Sequence, residues 1–77
     1  MKNKVVLITG ASSGLGKAIA NHLHSLGYIV YGTSRKKMKP EEGWNPLVMD
    51  VTKRESVNNA VASVLEAQGH IDVLINN

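Results

Sequence analysis

Seventy-seven residues with no cysteine and a net charge of +3, from nine Lys and Arg against six Asp and Glu, make one small domain at most. They exclude disulfides and thiolate metal sites, no stretch is long and apolar enough to span a bilayer, and Met1-Lys2-Asn3-Lys4 leads into too short an apolar run for a signal peptide. A chain of this size buries only about 60–65% of its unfolded surface, so its stability margin is thin. A cytoplasmic location follows by default, and no metal site is expected. The excess positive charge sits in Arg35-Lys36-Lys37-Met38-Lys39. That cluster lacks the interleaved aromatics on which bases stack, so it does not point to nucleic acid.

In chain order, residues 4–9 contain the apolar run Val5-Val6-Leu7-Ile8, the signature of a buried strand. Thr9-Gly-Ala-Ser-Ser-Gly-Leu-Gly16 follows, and then a periodic helix over residues 14–26. A glycine-rich turn between a strand and a helix start is a phosphate site, because the first amides of the helix point outward and its dipole favours negative charge. Gly10 permits the sharp turn, Gly14 lets an anion approach bare backbone, and Gly16 permits close packing of helix on sheet. The P-loop spacing is not met: Gly16-Lys17 lies one position too far from Gly10, and Ala18 replaces the metal-binding hydroxyl. The dinucleotide spacing Gly-x-Gly-x-x-Gly is not met either.

The helix is expected to bury Leu15, Ala18, Ile19, Leu23 and Leu26 and to stop at Gly27, leaving Lys17, Asn21 and His24 in water and His22 partly buried. His22 and His24 point about 160° apart and cannot share a metal. Residues 28–33 form a second strand. The segment from Ser34 to Asn45 has no helical period, though Pro40-Glu41-Glu42 could start a short helical turn, and Trp44 caps the core beneath this crossover. Pro46 opens a third strand, Leu47-Val48-Met49, ending at Asp50. Thr52 and Glu55 have capping-box spacing ahead of a helix with Val57, Ala60, Val61, Val64 and Leu65 on one face. Gly69 ends it, and residues 71–75 form a fourth strand before Asn76-Asn77.

The order strand, helix, strand, crossover, strand, helix, strand implies an α/β fold: the first half of a Rossmann-type doubly wound parallel sheet, with strand order 3-2-1-4. Residues 1–77 form one dinucleotide-binding part with no second domain.

The variant glycine motif at Thr9–Gly16, Asp50-Val51-Thr52 after the third strand, and Asp72 leading into Asn76-Asn77 together resemble the short-chain dehydrogenase/reductase family in register. The last matches the approach to that family's Asn-Asn-Ala-Gly motif, cut off before Ala-Gly. The resemblance implies an N-terminal half, cut short, of an oxidoreductase that moves hydride between a nicotinamide cofactor and a carbonyl or alcohol substrate. It implies that backbone amides at Ser12, Ser13, Gly14 and Leu15 hold the cofactor phosphates, that Asp50 bonds the adenine amino group and that Val51 meets the ring. Asn76 would knit the fourth strand to its neighbours, and Asn77 would line the ribose.

NAD-binding forms place a carboxylate at the end of the second strand, which repels a 2′-phosphate. Here the stretch is Thr33-Ser34-Arg35-Lys36. Charged hydrogen bonds from a guanidinium contribute about 1.5–3 kcal/mol each, so NADP(H) is expected over NAD(H), with Arg35 as main contact and Ser34, Ser12 and Lys36 assisting. The family's catalytic Ser and Tyr-x-x-x-Lys have no counterpart in this chain. Tyr31-Gly-Thr-Ser-Arg35 imitates the latter only on a strand and with Arg for Lys. The 77 residues are therefore expected to be inactive alone. If these 77 residues are the whole molecule, Val73, Leu74 and Ile75 would offer an apolar sheet edge for self-association; a homo-oligomer is expected. A non-catalytic dinucleotide-binding or redox-sensing module of the same fold is the alternative.

Overall fold

The four consecutive apolar residues of the first strand decide the architecture. In the computed structural model, which describes residues 4–39 and 43–77, β1 (Val5–Ile8) is buried along its whole length. Side chains alternate across a strand, so a run apolar at every position needs cover on both faces. Val6 and Ile8 point to one face, where they pack with Ala11, Ala20, Val30 and Trp44; Val5 and Leu7 point to the other, against Tyr31 and Val64. The helices α1 (Gly14–Ser25) and α2 (Arg54–Gln68) supply that cover, one on each face.

β2 (Ile29–Ser34), β3 (Asn45–Val48) and β4 (Val73–Ile75) complete a four-stranded sheet in the order β3-β2-β1-β4. Every pair is parallel; Leu7 sits level with Tyr31 on one side and Leu74 on the other. All strands therefore end on the same side of the sheet. The Rossmann-type α/β order expected from the sequence is the order found.

Helix α1 is turned relative to its expected stripe. Leu15 is 69% exposed and Leu26 59% exposed, and Ala18 is also in water, while Gly16 and Ala20 are buried and Ile19 and Leu23 pack on the core. The cause is size: the helix meets the sheet along its smallest residues, which permits the closest approach. The same rotation exposes His22, expected to be partly buried, and half-buries Asn21, expected in water. Asn21 Oδ1 accepts a 2.7 Å hydrogen bond from Trp44 Nε1. Trp44 caps the core as expected, and Gly27, at φ +93°, follows the helix end at Ser25.

The capping box at Thr52 does not form. Lys53 is the N-cap of α2 and makes no side-chain cap bond. The Thr52 hydroxyl is drawn back to Asp50 Oδ1 at 2.6 Å, with the Thr52 N–H on the same oxygen at 2.9 Å. The helix starts one residue later than the box requires, and the N-cap Lys53 has an ammonium that cannot accept an orphan amide. Ala60 and Val64 are buried as expected, but Leu65 is exposed. Gly69 closes the helix in the left-handed conformation, its N–H bonded to Leu65 O at 2.7 Å. β4 is shorter than expected: Ile71 packs beneath the sheet and the Asp72 carboxylate accepts the Val5 N–H at 2.7 Å. Val73 and Leu74 are exposed on this edge. The helical turn suggested at Pro40-Glu41-Glu42 lies outside the described residues.

Candidate functional site

The four parallel strands deliver their carboxyl ends to one cavity of about 450 Å³. Thr9, Gly10 and Ser12 line it from β1, Thr33, Ser34, Arg35 and Lys36 from β2, Met49 and Val51 from β3, and Asn76 and Asn77 from β4. Ligands of open parallel sheets sit at this end, where the chain leaves neighbouring strands in different directions. No acidic side chain lines the cavity among the described residues, whereas Arg35 and Lys36 both do.

The loop from β1 to α1 has the backbone that its glycines allow. Gly10 and Gly14 stand at φ +65° and +60°. Among the described residues, no atom beyond its chain neighbours and its own helix backbone lies within 4 Å of where a Gly14 Cβ would be, so main chain there is open to an anion. Gly16 is the reverse case: a Cβ would fall on the carbonyl oxygen of Gly10. The first amides of α1, from Ser13 to Gly16, belong to a turn whose N–H groups have no partner within the helix. Ala11 is buried and its N–H is tied to Thr33 O at 2.8 Å, which anchors the loop to β2.

The family model for short chain dehydrogenase matches residues 4–77. The chain belongs to the short-chain dehydrogenase family. It is 51% identical over 77 residues to a 3-ketodihydrosphingosine reductase of Bacteroides thetaiotaomicron, covering all of this chain and 29% of that protein. Over 84 aligned residues it is 34% identical to a 3-oxoacyl-(acyl-carrier-protein) reductase of Haemophilus influenzae, covering 35% of it. Among solved structures, the ligand-free aldohexose dehydrogenase of Thermoplasma acidophilum superposes with a TM-score of 0.88 at 35% identity, over 99% of this chain and 29% of that one. A metagenomic short-chain oxidoreductase in complex with NADP superposes at 0.86 and 31% identity, over 96% of this chain and 38% of that one. The chain thus spans about a third of the length of these relatives.

Of the residues singled out from the sequence, this short-chain dehydrogenase chain brings Gly10, Ser12, Ser34, Arg35, Lys36, Val51, Asn76 and Asn77 together around the cavity. Ser13, Gly14 and Leu15 stand at the helix start without lining it, and Gly16 is buried beneath. The Asp50 carboxylate is outside the lining and is occupied on one oxygen by Thr52. Those two hydrogen bonds, hydroxyl first, hold the Asp50 carboxyl below its ordinary 3.8, aided by the charges of Lys53 and Arg35 against a desolvation that opposes them. The Asp50 N–H donates to Ser56 Oγ at 2.8 Å, fixing the turn from beneath.

Three lining residues carried no assigned role: Thr9, Thr33 and Met49. Thr9 had a signal, as a polar residue closing an apolar strand, and it is 5% exposed with its hydroxyl engaged by both Asn76 and Asn77. The other two are buried strand ends whose proximity depends on sheet order. Tyr31 is turned away from the cavity: it packs with Val64 on the α2 face, and its hydroxyl accepts from Gln68 Nε2 at 2.9 Å. Among the described residues no helix is long and apolar enough to cross a membrane, and no three His, Asp or Glu side chains are grouped to hold a metal.

Proposed function

We propose that this chain is the NADP(H)-binding part of an oxidoreductase that reduces a carbonyl group or runs the reverse oxidation, located in the cytoplasm and working as a homo-oligomer. The observation that carries the reading is the placement of Ser34, Arg35 and Lys36 on the same cavity as Gly10 and Ser12, with no acid lining it among the described residues. A 2′-phosphate at the end of β2 meets a guanidinium, an ammonium and a hydroxyl there, and a ribose lacking that phosphate gains nothing from the two cations.

The open backbone at Gly14 and the helix amides from Ser13 onward suit a diphosphate. In this reading Ser12, Ser13, Gly14 and Leu15 hold it through main chain, and Gly16 lets the helix come close. Asp50 uses its remaining oxygen for the adenine amino group, Val51 covers the ring, Asn77 borders the ribose and Asn76 holds the strand end. The bound nicotinamide would supply hydride chemistry. Two relatives named as reductases of a 3-keto and a 3-oxo compound favour a carbonyl substrate. Tyr31, half of the one Tyr-x-x-x-Arg imitation, is engaged on the opposite face of the sheet. In this reading the 77 residues supply coenzyme binding, and Tyr31 is not a catalytic tyrosine.

Titration of NADPH and NADH by their own fluorescence tests the reading. Arg35→Asp should weaken NADPH roughly 10- to 150-fold for each charged hydrogen bond lost, and NADH far less. An unchanged ratio of the two affinities refutes it.

A further inference from the structure

Gly32 is a notch in the middle of β2, and two side chains fill it. A Cβ at Gly32 would stand 2.5 Å from Trp44 Cζ3 and 2.7 Å from the Ala11 methyl. Trp44, only 6% exposed, thus lies against the middle of β2, the strand that ends in Ser34, and shares a buried cluster with Ala11 of the loop that follows β1. Its ring is aimed there by the Nε1 bond to Asn21 on α1. The backbone bond from Ala11 N to Thr33 O lies beside the same joint.

We propose that Trp44 is a positioning residue for coenzyme selection. Resting on the coenzyme reading above, it sets the separation between the diphosphate-binding loop after β1 and the 2′-phosphate corner after β2, without touching the ligand itself. The physical reason is geometric. NADPH carries a diphosphate and a 2′-phosphate on one ribose, which limits how far apart they can reach, so it engages both subsites only when their spacing falls within that limit. Ligands that reach one subsite make no such demand. Trp44 therefore acts on the joined ligand and not on its parts, which separates positioning from mere support of the fold.

The test uses the whole chain and three probes: NADPH, ADP for the loop, and 2′-AMP for the Ser34-Arg35 corner. Trp44→Leu removes the ring edge from the notch. It should weaken NADPH by roughly tenfold while ADP and 2′-AMP each change by less than about threefold. Trp44→Phe keeps an aromatic edge against Gly32 and should recover most of the NADPH affinity. If circular dichroism shows Trp44→Leu to be unfolded, Asn21→Ala makes the same comparison by releasing the ring from its tether, with a smaller NADPH loss and again unchanged fragments. Parallel loss of all three probes in a folded variant, or no loss of any, overturns the inference. A wild-type chain that binds 2′-AMP no better than 5′-AMP overturns the coenzyme reading itself, and the role of Trp44 with it.

Discussion

Thr9 Oγ1 donates a 2.9 Å hydrogen bond to Asn76 Oδ1, joining the carboxyl ends of two neighbouring strands 67 residues apart in sequence. The same oxygen accepts the Asn77 N–H at 3.0 Å, and Asn77 Nδ2 donates in turn to Gly10 O at 3.0 Å. One buried hydroxyl thus holds the last two residues of the chain against the first turn of the glycine loop. Thr9→Val keeps the shape and leaves the carboxamide oxygen and the amide without their partner. It is expected to lower unfolding free energy by about 1–3 kcal/mol in urea titration. A wild-type midpoint would show that water replaces the hydroxyl without loss.

Gly14 and Gly16 sit two residues apart and fail in different ways. Gly14 needs only its left-handed backbone, since among the described residues no other segment comes within 4 Å of its absent side chain. Asn tolerates that conformation, so Gly14→Asn is expected to cost no more than about 1 kcal/mol. Gly16→Ala drives a methyl into the Gly10 carbonyl, a backbone atom that can retreat only by reshaping the loop. It is expected to cost at least about 2 kcal/mol. Equal midpoints for the two variants in urea would contradict this account.

Helix α2 begins without a side-chain cap, because its N-cap residue is Lys53, whose ammonium accepts no hydrogen bond. Lys53, at the N-cap with extended backbone, can be replaced by a residue that accepts an orphan amide. Lys53→Ser is expected to stabilise the protein by about 0.5–2 kcal/mol, read as a raised thermal or urea midpoint. A lowered midpoint would mean that the lysine charge beside Asp50 matters more than the missing cap.

Asp50 gives a pH dependence whose sign can be worked out. Its native carboxyl titrates below 3.8, so near that pH the native state binds fewer protons than the unfolded one. The stabilisation is fully present above 3.8 and is lost as pH falls through the lower native value. Thr52→Val removes the largest cause and should move the Asp50 midpoint up toward 3.8, measured by NMR of the side-chain carboxyl carbon. An unmoved midpoint would assign the depression to the backbone bond and the nearby cations instead.

By itself, the sequence determined the architecture and the end of the sheet at which the cavity opens. An unbroken apolar run in β1, an open glycine turn and the alternation of strand and helix signals admit few arrangements other than a parallel sheet covered on both faces, with its cavity at the carboxyl ends. These features are local and repeat with a period, so they can be read along the chain. The rotation of α1, the lost capping box and the joint at Gly32 could not be read this way. Each depends on side-chain contacts that no local pattern announces: Gly16 against Gly10, Thr52 captured by Asp50, and Trp44 and Ala11 both against Gly32 of β2. Only tertiary structure decided them, because packing favours the smallest residues at a close approach and a hydroxyl takes the strongest acceptor within reach.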